Sequence, residues 1–254
     1  VMARTPQYAE IANDIRAEIT EGRLPPGAKL LTERELMDRY DVSVTVARNA
    51  IAQLRGEGLV ESRQGKGSFV RERRELVRYA SRRYRRTGLA PNRAEAARGG
   101  WNDTVSDERR VVSATPDVAE RLAIEPGDMV SEAVYRWRAD NELIQISRQW
   151  EPLKLTAGTP IEKPSSGERG QPDVITRFDS IGMKVTHVQE YIRARMPRPD
   201  ESRELSLSSG VPVLHIIRTH FAGDLPLETA DIVIRADRMV IENINDVAPE
   251  DADA

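Results

Sequence analysis

The sequence predicts an α+β protein of two domains, a small helical unit closed by a β-hairpin and then a larger antiparallel sheet with helices. Three observations predict it. Three helix-period segments and a glycine-rich hairpin follow one another within the first seventy or so residues. The charge changes sign along the chain: residues 1–86 hold 18 Lys/Arg against 12 Asp/Glu, a balance of +6, and residues 87–254 hold 20 against 29, a balance of −9. The C-terminal part also repeats itself at an offset of 83 residues. At 254 residues with 39% apolar content, each part has enough apolar side chains for its own core.

The elements follow in order. Tyr8, Ile11, Ala12, Ile15 and Ile19 fall at helical spacing, and Gly22 with Pro25-Pro26-Gly27 ends that helix. Thr32-Glu33-Arg34-Glu35 is a capping box, in which hydroxyl and carboxylate each satisfy an orphan N–H, and it opens a second helix carrying Leu36 and Tyr40. After a tight turn at Asp41-Val42, Ser43 caps a third helix with an inward stripe of Val46, Ala47, Ala50, Ile51 and Leu54, ending at Gly56 and Gly58. Two strands around Arg63-Gln64-Gly65-Lys66-Gly67 then form a wing. Residues 72–98 are dense in arginine and poor in large aliphatics, which reads as a linker, either a solvated connector or an additional phosphate contact.

The repeat joins Pro116, Asp117, Leu122, Ile124, Gly127 and Val130 to Pro199, Asp200, Leu205, Leu207, Gly210 and Val213. In each copy Pro starts a short helix, Gly turns the chain and a long strand follows, near 129–138 and 212–221. Turns at Asp140-Asn141 and Gly223-Asp224 send each strand back, so two similar hairpins with helices on one side are expected over 99–247, with a frayed tail at 248–254.

A helix that enters a DNA major groove needs short polar or basic side chains near its N-terminus, where they reach base edges while helix N–H groups face phosphate. Ser43, Thr45, Arg48 and Asn49 supply that set, with Arg48 suited to a bidentate guanine contact. Pro26-Gly27, Thr32-Glu33-Arg34-Glu35-Leu36, Val42-Ser43, Thr45-Val46 with Arg48, Glu57-Gly58-Leu59-Val60 and Arg63-x-Gly65-x-Gly67-x-Phe69-Val70 together resemble the winged helix-turn-helix signature of the GntR family over residues 6–71. The resemblance implies a homodimeric regulator on a palindromic operator, with Arg34, Thr45 and Arg48 at backbone or bases and Gln64, Gly65 and Lys66 in the wing. Val44 departs from the pattern, since many members carry a basic residue there.

Residues 100–246 are similar to the UTRA effector domain of the HutC subgroup, whose fold is related to chorismate lyase. The similarity rests on Arg136-x-Arg138-x-Asp140, Gln149-Trp150-Glu151-Pro152, Glu190-x-Ile192-x-Ala194-Arg195, Gly210-Val211-Pro212-Val213, and Glu228 followed by Ala236-Asp237-Arg238. Arg136 and Arg138 alternate on one strand and share a face, which points either to an anionic ligand or to solvent. The resemblance assigns Arg136, Arg138, Arg195 and Glu228 to a small acidic effector, and the repeat makes Gln145 the counterpart of Glu228, both able to point into one cavity. The alternatives are a DNA-bound dimer without ligand and a chorismate-lyase-like enzyme. His187, His215 and His220 lack metal-ligand spacing, and no G-x-S-x-G elbow or P-loop occurs, so no catalysis, metal or cofactor is expected. The absence of cysteine and of any long apolar run predicts a cytoplasmic protein with no membrane partner.

Overall fold

The computed structural model describes residues 6–63, 65–71, 75–86, 88–162, 173–207 and 210–245. The chain divides into two compact units, one of Val1–Arg74 with Met196–Pro212 and one of Glu75–Arg195 with Val213–Ala254.

In the first unit α1 (Gln7–Thr20), α2 (Glu33–Tyr40) and α3 (Val44–Gly56) precede the hairpin β1 (Val60–Arg63) and β2 (Gly67–Val70). The capping box closes as the sequence requires: the Thr32 hydroxyl accepts from the Glu35 amide at 3.3 Å and the Glu35 carboxylate accepts from the Thr32 amide at 2.7 Å. Asp41, in the left-handed region at φ 49°, makes the turn into α3, and the Ser43 hydroxyl accepts from the Val46 amide at 3.4 Å. Ile11, Ile15, Leu36, Ala47, Ile51, Leu54, Val60 and Val70 form one core.

The second unit begins where a linker was expected, and this is a correction. From Glu75 onward the arginine-rich stretch is folded: β3 (Leu76–Tyr79) pairs in parallel with the last strand, a 3-10 turn follows at Ala80–Arg82, and α4 runs over Pro91–Arg98. Arg78 and Arg83 are buried. Their charges are tolerated because carboxylates meet them, one distant in sequence and one within the same stretch: Arg78 and the Tyr84 hydroxyl both donate to Glu190, and Arg83 donates to Glu95.

Then come β4 (Asp103–Ser113), α5 (Pro116–Leu122), β5 (Met129–Ala139), β6 (Glu142–Pro152), α6 (Leu153–Thr156), α7 (Val174–Ser180), β7 (His187–Arg195), α8 (Pro199–Glu204), β8 (Val213–Ala222), β9 (Leu225–Arg235) and β10 (Met239–Glu242). The six long strands form one antiparallel sheet in the order β4-β5-β6-β9-β8-β7. That order is the repeat made visible: strand, helix and hairpin in each copy, joined through β6 and β9. Even the bulges correspond, one between Trp137 and Arg138 and one between His220 and Phe221, 83 residues apart. Asp140 at φ 47° and Asn141 at φ 66° make the tight turn of the first hairpin.

Helices cover both sheet faces, not one. Val118, Ala119 and Leu122 of α5 pack with Val130 and Trp150 on one face, while Ala96 of α4 joins Leu76, Trp137, Ile216, Ile232 and Ile234 on the other. The segment around α8, assigned by its repeat to the sheet domain, groups with the first unit. There Gly210, at φ +84°, lies so close to the main chain of Gly56 that a Cβ would sit 2.7 Å from that carbonyl oxygen.

Candidate functional site

Two sites emerge, one in each unit. In the first, Ser43, Thr45, Arg48 and Asn49 are all exposed along the N-terminal half of α3, with Arg34 exposed on α2 and Gly65 and Lys66 exposed at the wing tip. Gln64 lies outside the described residues. Gly65 at φ +70° and Gly67 at φ +108° hold backbone conformations that favour glycine, so the turn residues are dictated by the hairpin. One partner was not foreseen. Arg48 donates from Nε and Nη2 to the two Glu33 oxygens at 3.2 and 2.9 Å, and this holds the Glu33 carboxyl below its usual range. The fork that matches a guanine edge is thus occupied by a carboxylate.

In the second unit a cavity of about 440 Å³ lies against the sheet face that carries Tyr135, Trp137, Gln145, Ser147, Gln149, Arg218 and His220. Its other walls come from residues 83–85 and 88–93, from Asp103, Val105 and Asp107 of β4, and from Asp173, Ile175 and Arg177 at the start of α7. The faces follow from strand alternation. Tyr135 and Trp137 point to the cavity, so Arg136 between them points away and donates to Glu108 at 2.9 Å, and Arg138 shares its side. Arg195 ends β7 opposite Val213 and is not part of the wall. The expected group of four is therefore not brought together: strand alternation was read correctly, and the other face was the one enclosed.

Glu228 stands in a layer behind the wall. It is fully buried and accepts from Arg218 Nη2 at 2.7 Å while paired with His220 Nδ1 at 2.7 Å, both partners lining the cavity. The Gln149 amide closes the cluster, its nitrogen 3.3 Å from Glu228 Oε1 and its oxygen 3.3 Å from Arg218 Nη2. Burial alone would raise the Glu228 carboxyl, but the Arg218 charge and the His220 partner outweigh it and bring the group down to about 2. Burial pushes His220 below the ordinary histidine value, against the opposing pull of Glu228. Arg177 makes a similar arrangement with Glu151, through two bonds of 2.7 and 2.9 Å.

The repeat relates the cavity's two halves. Tyr135, Trp137 and Gln145 of the first copy stand 83 residues before Arg218, His220 and Glu228 of the second. Gln145 as the counterpart of Glu228 was legible from the repeat; Tyr135 and Trp137 were hidden beside the more conspicuous arginines.

Residues 7–70 match the description of bacterial regulatory proteins of the gntR family, and residues 104–240 match the UTRA domain. The transcriptional regulator YurK of Bacillus subtilis is 27% identical, over 92% of this chain and 93% of its own. The mannosyl-D-glycerate transport/metabolism system repressor MngR of Escherichia coli is 26% identical, over 88% of each. A crystal structure of a GntR-family transcriptional regulator is similar with a TM-score of 0.68 and 37% identity, covering 96% of this chain and 99% of that one. No helix among the described residues is long and apolar enough to cross a membrane. The two domains, their order and these relatives agree: the chain belongs to the GntR family of DNA-binding transcriptional regulators, in its HutC-type subgroup with a UTRA effector domain.

Proposed function

We propose that this regulator is a repressor that binds a palindromic operator as a homodimer and whose hold on DNA is set by a small molecule in the cavity of the second unit. One observation carries the reading. Residues 83–85 and 88–93 supply a wall of that cavity, and they follow β3 in the chain that leads from the wing. A ligand that touches this wall bears on the covalent path to the DNA-binding unit. It changes operator affinity to the extent that it binds two arrangements of that path unequally, typically about 1–3 kcal/mol of coupling. Repression is supported by the repressor role named for MngR. The expected acidic effector loses its main argument, because Arg136 and Arg138 do not line the wall.

On the DNA side, Arg48, Thr45, Ser43 and Asn49 serve as groove readers, with Arg34 and the wing residues Gly65 and Lys66 at the backbone. The test couples both sites. Small molecules released from the denatured protein are identified by mass spectrometry, and operator binding is followed by fluorescence anisotropy as each is returned. Release of DNA by a returned compound, together with derepression of a reporter, supports the reading; operator affinity indifferent to every recovered compound favours a dimer without ligand.

A further inference from the structure

The cavity wall has a chemical character that names its ligand more closely, an inference that rests on reading the cavity as the effector site. Three successive inward positions of β6, Gln145, Ser147 and Gln149, carry uncharged hydrogen-bonding side chains where a buried sheet face is ordinarily apolar. Opposite them on β5, Trp137 faces Gln145 and Tyr135 faces Ser147. Asn92 adds a further neutral polar group to the wall.

The charged groups of the wall are already balanced. Arg83, Arg177 and Arg218 are buried, and each is held by a buried carboxylate, from Glu95, Glu151 and Glu228 respectively. Glu228 stays ionised far below neutral pH. Asp103, Asp107 and Asp173 stand on the same wall, and Asp107 is paired with Arg109 at 2.8 Å. Arg85 and Arg93 are exposed, where water and salt screen them. An entering anion would add charge to a low-dielectric region whose guanidinium groups are already neutralised.

The groups the wall offers are neutral. Gln145, Ser147, Gln149 and Asn92 can each donate and accept a hydrogen bond without charge. A hydroxyl or ring oxygen accepts from them, and hydroxyl protons find acceptors in Asp103, Gln145 and Gln149.

We propose that the cavity takes an uncharged, polyhydroxylated ring compound, held by hydrogen bonds with Gln145, Ser147 and Gln149. Free sugars and nucleosides share this chemistry, and a volume of about 440 Å³ is of the order of small-molecule sites generally.

The full chain is titrated calorimetrically with matched pairs, hexoses with their 6-phosphates and nucleosides with their 5′-monophosphates, beside a Ser147→Trp variant that fills the cavity. The expected result is binding of a neutral member at least about tenfold tighter than its phosphorylated partner, lost in Ser147→Trp while circular dichroism shows the fold retained. The responding pair tells sugar from nucleoside. Tighter binding of the phosphorylated member, also lost in Ser147→Trp, overturns the neutral class and leaves the cavity as the effector site. Binding that survives in folded Ser147→Trp overturns the cavity reading itself. No response to any neutral member at millimolar concentration overturns the class. Should Ser147→Trp not fold, Gln145→Leu replaces it, with an expected loss of at least about tenfold for the neutral probe only.

Discussion

At the scale of single residues, function turns on which partner a guanidinium holds. On the proposed reading Arg48 must leave Glu33 to meet DNA, and both side chains stand in water, where such a pair contributes little to folding. Arg48→Ala is therefore expected to leave stability nearly unchanged and to weaken operator binding by about tenfold or more per half-site with relaxed sequence preference. Glu33→Gln removes the competitor and a negative charge facing phosphate, and is expected to tighten specific and scrambled duplexes alike. Fluorescence anisotropy on both duplexes checks both; a uniform loss for Arg48→Ala would instead assign that residue to phosphate. Glu228 is the opposite case. Buried with Arg218, its replacement by Gln leaves a guanidinium uncompensated and is expected to cost about 3–5 kcal/mol in urea unfolding. The pH dependence has two stages of one sign. His220 is held neutral by burial, so the unfolded chain takes up its proton first and stability falls as pH drops below 6.5. Glu228 has its carboxyl lowered from 4.5 to about 2, so its stabilisation is present above 4.5 and is lost as pH falls toward 2. Urea midpoints measured from pH 7 to 3 check this, and His220→Gln is expected to abolish the first stage while the second, for which Arg218 is the larger cause, remains in reduced form.

At the scale of elements, legibility depended on whether a signal was local. The capping box at Thr32, the Ser43 cap and the wing glycines are local rules, and each element they predict is present. The arginine-rich stretch was misread because a dense row of guanidinium groups ordinarily means solvent, whereas the acid that buries Arg78 is Glu190, 112 residues away. No pattern within residues 72–98 reveals it. The cavity face was hidden for a similar reason: alternation along β5 separates Arg136 from Trp137, but which side is enclosed depends on α4 and the segment before it. Equivalent glycines of the two repeats give a test of how far their surroundings diverged. Gly127, at φ +96°, has open space where a Cβ would go, whereas Gly210 meets the Gly56 carbonyl. Gly127→Ala is expected to cost about 1 kcal/mol through its backbone angle alone, and Gly210→Ala distinctly more, both read from urea unfolding. Equal costs would mean that the Gly56 contact yields freely.

At the scale of the whole molecule, duplication and charge asymmetry serve different ends. The repeated strand, helix and hairpin give a sheet symmetric about β6 and β9, and divergence between the copies puts Tyr135 and Trp137 in one half of the cavity against Arg218 and His220 in the other. The charge asymmetry does not follow the division into units, because residues 75–86 of the second unit hold five arginines against one glutamate and so carry most of the +6 of residues 1–86; attraction of the first unit to DNA rests on where its cations stand, not on its net charge. A single winged helix contacts too few base pairs to select one operator among genomic sites, which is the reason to expect a two-fold dimer on a palindrome. Light scattering is expected to give twice the chain mass of 28.5 kDa at micromolar concentration. The salt dependence of binding then measures how many winged helices engage. Log K falls linearly with log salt at a slope of roughly −0.9 per phosphate neutralised, so two engaged heads should show about twice the slope of a duplex carrying one half-site. Lys66→Ala removes one exposed wing cation from each head and is expected to make the palindrome slope shallower by roughly 2, and the half-site slope by roughly 1. Equal slopes on both duplexes would mean that only one head binds, and the dimer would then have to serve some purpose other than reading a palindrome.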